Sequence, residues 1–499
     1  MKDGRKTALP KSFDVVVLTA ANEAQAQGYR AQLASREKRG LLPPGSSWCV
    51  VADPGGRRVG SGASTIEVLL HLASHICDKG DSFAERFRGK RILIAHSGGD
   101  ARRIPAYAAL GKIFMPMPCA VNLPHRADWE QYPATLFDLM LQSLSGLESS
   151  PEGEVIICSG DVLLTFDASD TNLHTPAGVT GLGFAAPLNL GRQHGVYITR
   201  HAGIGGQVTD FLQKPSAEEM NESGAVDATG RILVDTGVLN FSPEAVEALL
   251  DASGIELHNG DVRVGPGLHD DVLNARIGII DLYQEIALAL PAPMTAEKYL
   301  SHPAIAKQSS EARAKFRAFF EKLHAHAVPF NVTAVPDGEF FHVGNTRDLL
   351  TRFLEPSRTA RRFRFQNGFL VEETGAAKIT GAGKPTDVSH LSGLTVFNST
   401  GEFGQLSVAG AAYLEGCTLG TSDAGKLQLQ GENVLVGAEL HALGTDSLPR
   451  GLGLATLPLA GEATGEDITI VFGVDDDNKT THESGKARWL GHSLEAWIE

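Results

Sequence analysis

Residues 91–118 read RILIAHSGGDARRIPAYAALGKIFMPMP. The run Arg91–His96 is short, apolar and of buried-strand type, and it empties into Ser97–Gly98–Gly99. Two arginines follow, then a Pro-bounded segment that holds Lys112. Upstream, Phe13–Thr19 and Trp48–Ala52 read as further strands. Between and after them, Ala21–Arg39 is rich in helix formers and Ser64–Cys77 has apolar residues at helical spacing. Strands separated by helices predict parallel βαβ units. Downstream, Glu154–Cys158, Gly195–Thr199, Gln207–Leu212 and Ile232–Phe241 extend the strand set, and Pro243–Asp251 reads as a helix. The expectation is a large α/β domain over residues 1–295.

The pattern then changes. Over 296–374 a mixed, helical connecting region is expected, with Ser309–Ala327 placing Phe316, Phe319, Phe320 and Leu323 on one face and a second helix at Thr346–Leu354. From Gly375 to Glu499 short apolar runs alternate with Gly, Asn, Ser and Asp, as in LTVFNSTG, GQLSVAG and LQLQGENVLVG. Turn residues recurring this often fit the coils of a parallel β-helix or an irregular β-sandwich.

Composition bounds the function. The chain has 499 residues, enough for about three domains. With 42% hydrophobic residues it can bury large cores. Forty-four basic against fifty-nine acidic residues give a net charge of −15, which argues against a nucleic-acid partner but leaves room for a local anion pocket. No apolar run approaches the ~20 residues of a membrane span, and the N-terminus lacks a secretory pattern. Five cysteines without a C-x-x-C pair fit reduced thiols in a cytoplasmic protein.

Small residues directly after a strand let backbone N–H groups approach phosphates, so Ser97, Gly98 and Gly99 are candidate nucleotide contacts. Arg103 supplies a planar fork and Lys112 a point charge for a triphosphate. A second Gly-rich turn, Val59–Thr65 (VGSGAST), offers Gly60, Ser61 and Gly62, or simply a helix start capped by Ser64. Asp161, after the strand ending at Cys158, stands where a carboxylate would hold Mg²⁺ on nucleotide phosphates. Lys214 is placed for a sugar phosphate, and Asp235, Thr236 and Gly237 for sugar hydroxyls. Asp281 is either a second metal carboxylate or the cap of the next helix. His269, Asp270 and Asp271 read as a solvated loop.

The spacing G-G-x-x-x-R-I-P…K resembles the nucleotide loop of sugar nucleotidyltransferases, with Ala101 where a further Gly is usual and one residue fewer before the Pro. Further blocks are DVVVLTAANEAQAQGYRAQL, VVADPGGRRVGSGAST, SGD, LQKPS, DTGVLNF, DLYQEIALALP, FFHVGNTRDLL, VFGVDDDNK and WLGHSLEAW. Together they resemble the fucose-1-phosphate guanylyltransferase (GDP-fucose pyrophosphorylase) family, including that half of bifunctional fucokinase/GDP-fucose pyrophosphorylases, a region often labelled an L-fucokinase domain. Ala63 and Ser64 replace Gly-Ala, and Ser97 replaces a common Ala. The resemblance implies a Rossmann-like, GT-A-like nucleotidyltransferase domain followed by a left-handed parallel β-helix that packs on the catalytic domain or on another copy of the chain, as a homo-oligomer. It implies conversion of GTP and L-fucose 1-phosphate to GDP-L-fucose and pyrophosphate with Mg²⁺. In that reaction Arg103 would meet the triphosphate tail, Lys112 the α-phosphate, Asp161 the metal and Lys214 the sugar phosphate. The alternatives are another base or sugar, a sugar kinase suggested by VGSGAST, and a non-catalytic sensor. The bifunctional relatives carry their kinase module beyond this region, so kinase activity is not expected here.

Overall fold

The computed structural model describes residues 12–99, 101–123, 128, 131–168, 171–203, 205–353, 355–373, 393–401, 403, 406–419, 427–459, 465–477, 480 and 487–498. These fall into two compact units interleaved in sequence: stretches 1–99, 143–160 and 166–340 form the first, and 100–142, 161–165 and 341–499 the second.

The first unit is built on a nine-stranded mixed sheet. Its strands are β1 (Val15–Ala20), β2 (Ser47–Ala52), β3 (Arg91–His96), β4 (Glu154–Ser159), β5 (Val179–Pro187), β6 (Gly195–Thr199), β7 (Gly206–Gln213), β8 (Arg231–Phe241) and β9 (Phe330–Val335). They lie in the order β2-β1-β3-β4-β8-β5-β9-β7-β6. The four strands at one end, β2 to β4, are parallel, with Val15 opposite both Ser47 and Ile92, and Ile92 opposite Val155. Every residue of β1 (VVVLTA) is buried, as a parallel strand covered on both faces requires. Helix α1 (Glu23–Lys38) starts at Asn22, whose side chain accepts from the Gln25 N–H, and α2 (Gly60–His75) follows β2. Helix α3 (Pro243–Ala252) has Ser242 as cap and Pro at its first turn. Helix α4 (Ser310–Ala325) buries Ala312, Phe316, Phe319, Phe320 and Leu323, the face its spacing predicts.

Two strands escape the sequence pattern. β5 (VTGLGFAAP) is poor in β-branched residues, and β9 lies where a connecting region is expected. A Cβ on Gly181 would come within 2.3 Å of the Tyr197 hydroxyl, so the glycine makes room for the ring of Tyr197 on β6. Because β9 pairs with β5 in parallel, residues 296–340 belong to the first unit and the expected boundary at 295 does not coincide with a unit boundary. Helical spacing at 309–327 is local and does not tell what the helix packs on. The expected boundary at Gly375 lies outside the described residues.

In the second unit the tail forms three sets of short parallel ladders. In the first, Leu394 stands opposite Ala412 and Ala412 opposite Asn433, and Val434 stands opposite Gly453. In the second, Glu372 is opposite Thr400 and Thr400 opposite Thr418. The third joins Leu406 to Leu427 and Gln428 to Ser447. Val371, Leu394, Val396, Leu406, Leu414, Leu429, Leu435 and Leu448 share one core. An antiparallel strand, Asp467–Gly473, ends the largest of these sheets.

Candidate active site

In the first unit, the parallel strands β3 and β4 end side by side, with His96 opposite Ser159. The turn after β3 is bolted down: Ser97 Oγ donates to the Thr19 carbonyl at 2.7 Å, and the Tyr29 hydroxyl donates to the Ser97 carbonyl at 2.8 Å. Gln25 Nε2 donates to the Gly99 carbonyl at 3.0 Å. A Cβ on Gly98 would press to 3.2 Å from the Ala21 nitrogen, whereas one on Gly99 would meet open space. Gly98 therefore serves close packing, and Gly99 leaves the approach clear. His96 is enclosed by the hydroxyls of Thr65 at 2.9 Å and Thr19 at 3.5 Å, and burial pushes its imidazole down to about 4. It is neutral at pH 7 and serves as a strut.

The second Gly-rich turn departs from expectation. Gly60, Ser61 and Gly62 are the first turn of α2, not a loop before it. The Gly62 N–H donates to the Ile280 carbonyl at 2.8 Å, and a Cβ on Gly60 would strike that oxygen at 2.4 Å. Ser61 Oγ donates to Asp281 Oδ2 at 3.2 Å. These glycines are small because a chain segment lies against them, and the Gly62 donor expected for a phosphate is consumed by protein. Ser64 is buried inside the helix rather than capping it.

Asp281 is a helix cap, accepting on Oδ1 from the N–H groups of Tyr283 and Gln284 at 2.8 and 3.0 Å. Both of its oxygens accept hydrogen bonds, so the expected second Mg²⁺ carboxylate gives way to a structural role. Asp235 and Thr236 also turn inward. Asp235 accepts from the Tyr197 hydroxyl at 2.7 Å and the Gly237 N–H at 3.1 Å, and Thr236 Oγ1 donates to the Leu182 carbonyl at 2.8 Å. Burial raises the Asp235 carboxyl to about 6. The two side chains brace an irregularity in β8 that turns Gly237 to φ +77 near the Tyr283 hydroxyl. Of that trio, Gly237 alone is left partly open. Lys214 follows β7 in a left-handed bend at φ +52, with its side chain exposed. His269 and Asp271 are buried in the short helix Leu268–Leu273, not in a solvated loop, with His269 Nε2 3.1 Å from Glu67 Oε2 and Asp271 paired to Arg276. A groove of about 560 Å³ lined by His174, Thr180, Asn331 and Thr333 contains none of these residues.

In the second unit the chain after Gly99 carries the cations. Ala101 has φ +47, a left-handed conformation, and this is the physical reason a Gly is usual there. The Ile104 N–H closes the turn on the Ala101 carbonyl at 2.8 Å. Arg103 is exposed, and its carbonyl accepts from the Thr346 N–H and hydroxyl at 3.0 and 3.1 Å. Gly111, at φ +74, turns the chain into the short helix Lys112–Phe114, and buried Ile113 and Phe114 anchor it. This sets the Lys112 side chain, only 12% exposed, with Nζ 3.7 Å from Asp161 Oδ2. His342 Nε2 lies 3.4 Å from the same oxygen. His342 lies in the FFHVGNTRDLL block and is not among the candidate site residues that the sequence singles out. Its one signal was a polar residue ending an apolar pair.

Asp161 is 40% exposed. A hard, half-open carboxylate beside a lysine suits Mg²⁺ held mainly by substrate phosphates. Among the described residues no group of three or more His, Cys, Asp or Glu could hold a metal unaided.

A mixed sheet with helices between its parallel strands defines the class, an α/β protein. Comparison narrows it. Residues 84–499 match the family model described as the fucose pyrophosphorylase domain, and the chain belongs to that family. It is similar to the human protein named fucose-1-phosphate guanylyltransferase, 27% identical over 498 residues, covering 95% of this chain and 74% of that one. It is also similar to the bifunctional fucokinase/GDP-fucose pyrophosphorylase of Arabidopsis thaliana, 30% identical, with 46% of this chain and 23% of that protein covered. A Bacteroides fragilis protein named L-fucokinase/L-fucose-1-P guanylyltransferase is 26% identical over 62% of this chain and 28% of its own length. The chain thus spans about a quarter of each bifunctional relative. Among the described residues no helix is long and apolar enough to cross a membrane.

Proposed function

We propose that this protein makes GDP-L-fucose and pyrophosphate from GTP and L-fucose 1-phosphate. The observation that carries the reading is the Lys112–Asp161 pair, a mostly buried amine beside a half-open carboxylate, within a chain of this family. A sugar-phosphate oxygen attacks the α-phosphorus, one P–O bond forms, and the bond to the β-phosphate breaks to release pyrophosphate. The nucleophile is already anionic at pH 7, so no general base is needed, and the residues position and neutralise. Arg103 takes the triphosphate tail and Lys112 the charge developing on the α-phosphate. Ser97, Gly98 and Gly99 offer a tight approach to phosphates, and Lys214 with Gly237 takes the sugar phosphate. Asp161 would hold Mg²⁺, whose charge screens the phosphates when bound.

The three ladder sets of the tail are, in this reading, the faces of a left-handed β-helix. Exposed Ile468, Trp489 and Trp497 on the tail support association of copies through it, which sedimentation tests. Five unbonded cysteines support a cytoplasmic location.

The deciding experiment is pyrophosphate release from a matrix of four NTPs and several sugar 1-phosphates with Mg²⁺. GTP with fucose 1-phosphate is expected to lead, and a separate assay for fucose 1-phosphate made from free L-fucose and ATP is expected to detect none. Another pair leading would keep the class and change the substrate. No release from any pair would sink the reading.

Two substitutions test the roles. Asp161→Asn keeps size but removes the hard ligand, so turnover should fall and the Mg²⁺ concentration for half-maximal rate should rise, with nucleotide affinity little changed. Lys214→Ala should raise KM for the sugar phosphate and spare KM for GTP. The reverse asymmetry would show that Lys214 faces the nucleotide.

A further inference from the structure

Two blocks of the family resemblance, FFHVGNTRDLL and VFGVDDDNK, have no role in the chemistry above. In the second unit they are joined. Arg347 holds Asp475 in a fork, Nε to Oδ1 at 2.5 Å with Nη2 on Oδ2. Its Nη2 also reaches Glu432 Oε2 at 3.3 Å, and Arg450 holds the other oxygen of Glu432 at 2.7 Å. The neighbouring Thr346, 2% exposed, opens the short helix Thr346–Leu349. A first-turn N–H has no partner within its own helix, and here it donates to the Arg103 carbonyl together with the Thr346 hydroxyl. Asn345 and Asp348 cap that helix reciprocally, and Asp348 also accepts from the Gly344 N–H at 2.7 Å, so the presenting loop is itself held. Four residues after Arg103, the Tyr107 hydroxyl meets the Tyr413 hydroxyl at 2.8 Å. The backbone of Arg103 is therefore held by one segment and its loop by another, both from the carboxyl-terminal half of the chain.

We propose that Thr346 and Arg347 are positioning residues for nucleotidyl transfer: Thr346 fixes the Arg103 carbonyl, and Arg347 fixes Thr346 by clamping its helix to Asp475 and Glu432. The inference rests on the functional reading above. Exposed ion pairs add little to global stability, and Arg347 and Asp475 are 43% and 69% exposed. Their geometric effect is larger, since a misplacement of about 1 Å at a reacting group costs on the order of a hundredfold in rate.

Arg347→Ala should lower kcat by roughly tenfold to a hundredfold. KM for the sugar phosphate should stay within about twofold and the melting midpoint within a few degrees. Arg347→Ala combined with Asp475→Asn should be no worse than Arg347→Ala alone, because both break one clamp. Thr346→Val removes the hydroxyl donor at nearly constant volume and should lose about tenfold in kcat, a typical cost of one positioning contact. Thr346→Ser retains the donor and should stay near wild type. Amide hydrogen exchange over residues 101–112 should rise in Arg347→Ala and in Thr346→Val, and this readout needs no turnover. If the wild type is active and Arg347→Ala and Thr346→Val both keep kcat within twofold, the positioning role is wrong and the functional reading stands. If the wild type turns over no substrate pair, the functional reading falls and the role in nucleotidyl transfer falls with it, and unchanged protection of residues 101–112 in both variants overturns the clamp itself.

Discussion

Lys112→Ala is expected to lower kcat for GDP-fucose formation by something on the order of 10²–10³, the loss seen when one preorganised donor to developing charge is removed. The short helix at Lys112 is anchored by Ile113 and Phe114, and the Phe114 ring packs 5.5 Å from that of Phe137. Removing the amine should therefore leave the backbone in place. Asp161 is 40% exposed, so no buried charge is stranded. An unchanged melting midpoint with a collapsed kcat is the expected pattern. Arg103→Ala, by contrast, removes an exposed cation assigned to the triphosphate tail and should raise KM for GTP as well as lower kcat. Steady-state kinetics with both substrates varied, beside thermal melts, separate the two. A Lys112→Ala enzyme within about tenfold of wild-type kcat would mean that the cation meets no charge in the transition state.

Stability should fall as pH rises from near 4.5 through 7, and Glu415→Gln should remove part of that fall. Glu415 is enclosed by Tyr107, Tyr413, Asn398 and Cys417, with Asn398 Nδ2 donating to it at 3.2 Å and the Tyr107 hydroxyl at 3.4 Å. Burial pushes its carboxyl up from 4.5 to about 7, and those two hydrogen bonds only partly offset this. Between the two values the folded protein keeps a proton that the unfolded chain has released. The stabilisation is complete below the lower value and is lost as pH rises through the upper one. A displacement of this size is worth on the order of 3 kcal/mol. Asp235, raised to about 6, and Glu285, raised to about 7, push the same way. The slope alone therefore assigns nothing, and the difference between wild type and the glutamine variant isolates Glu415. Melts at pH 5 and pH 8 should agree for the two proteins at the lower pH, with the variant higher at pH 8. Parallel pH profiles would show that Glu415 is not the group that titrates.

Much of the region where β3 and β4 end was legible in the residues. VVVLTA and RILIAH are too uniformly apolar to be anything but buried, and the alternation with α1 and α2 implies parallel strands. The glycines after β3 announced a tight turn, and the carboxylate after β4 stood out as a polar residue that follows a buried strand. The pairing of Lys112 with Asp161 was half legible, since both residues stood out but nothing in their spacing joined them.

Other features depended on what lay far away in the chain. Gly60 and Gly62 look like a phosphate loop in sequence, and only the segment at Ile280 shows that they are small for packing. Asp235 looks like a sugar ligand until Tyr197, admitted by Gly181, claims it. The strand Val179–Pro187 carries little local signal, because its small residues form a strand only when neighbours supply the hydrogen bonds, and the run Phe330–Val335, though it bears Phe, Val and Thr, does not tell which sheet it joins. The assignment of residues 101–142 to the same unit as the tail has the same origin. Periodicity and turn chemistry report each residue's own backbone, so the sequence by itself determined the parallel strands, the open turn and the polar residues at its edge. Which of those residues face a ligand and which brace the fold is set by partners distant in the chain, and that only the tertiary structure decided.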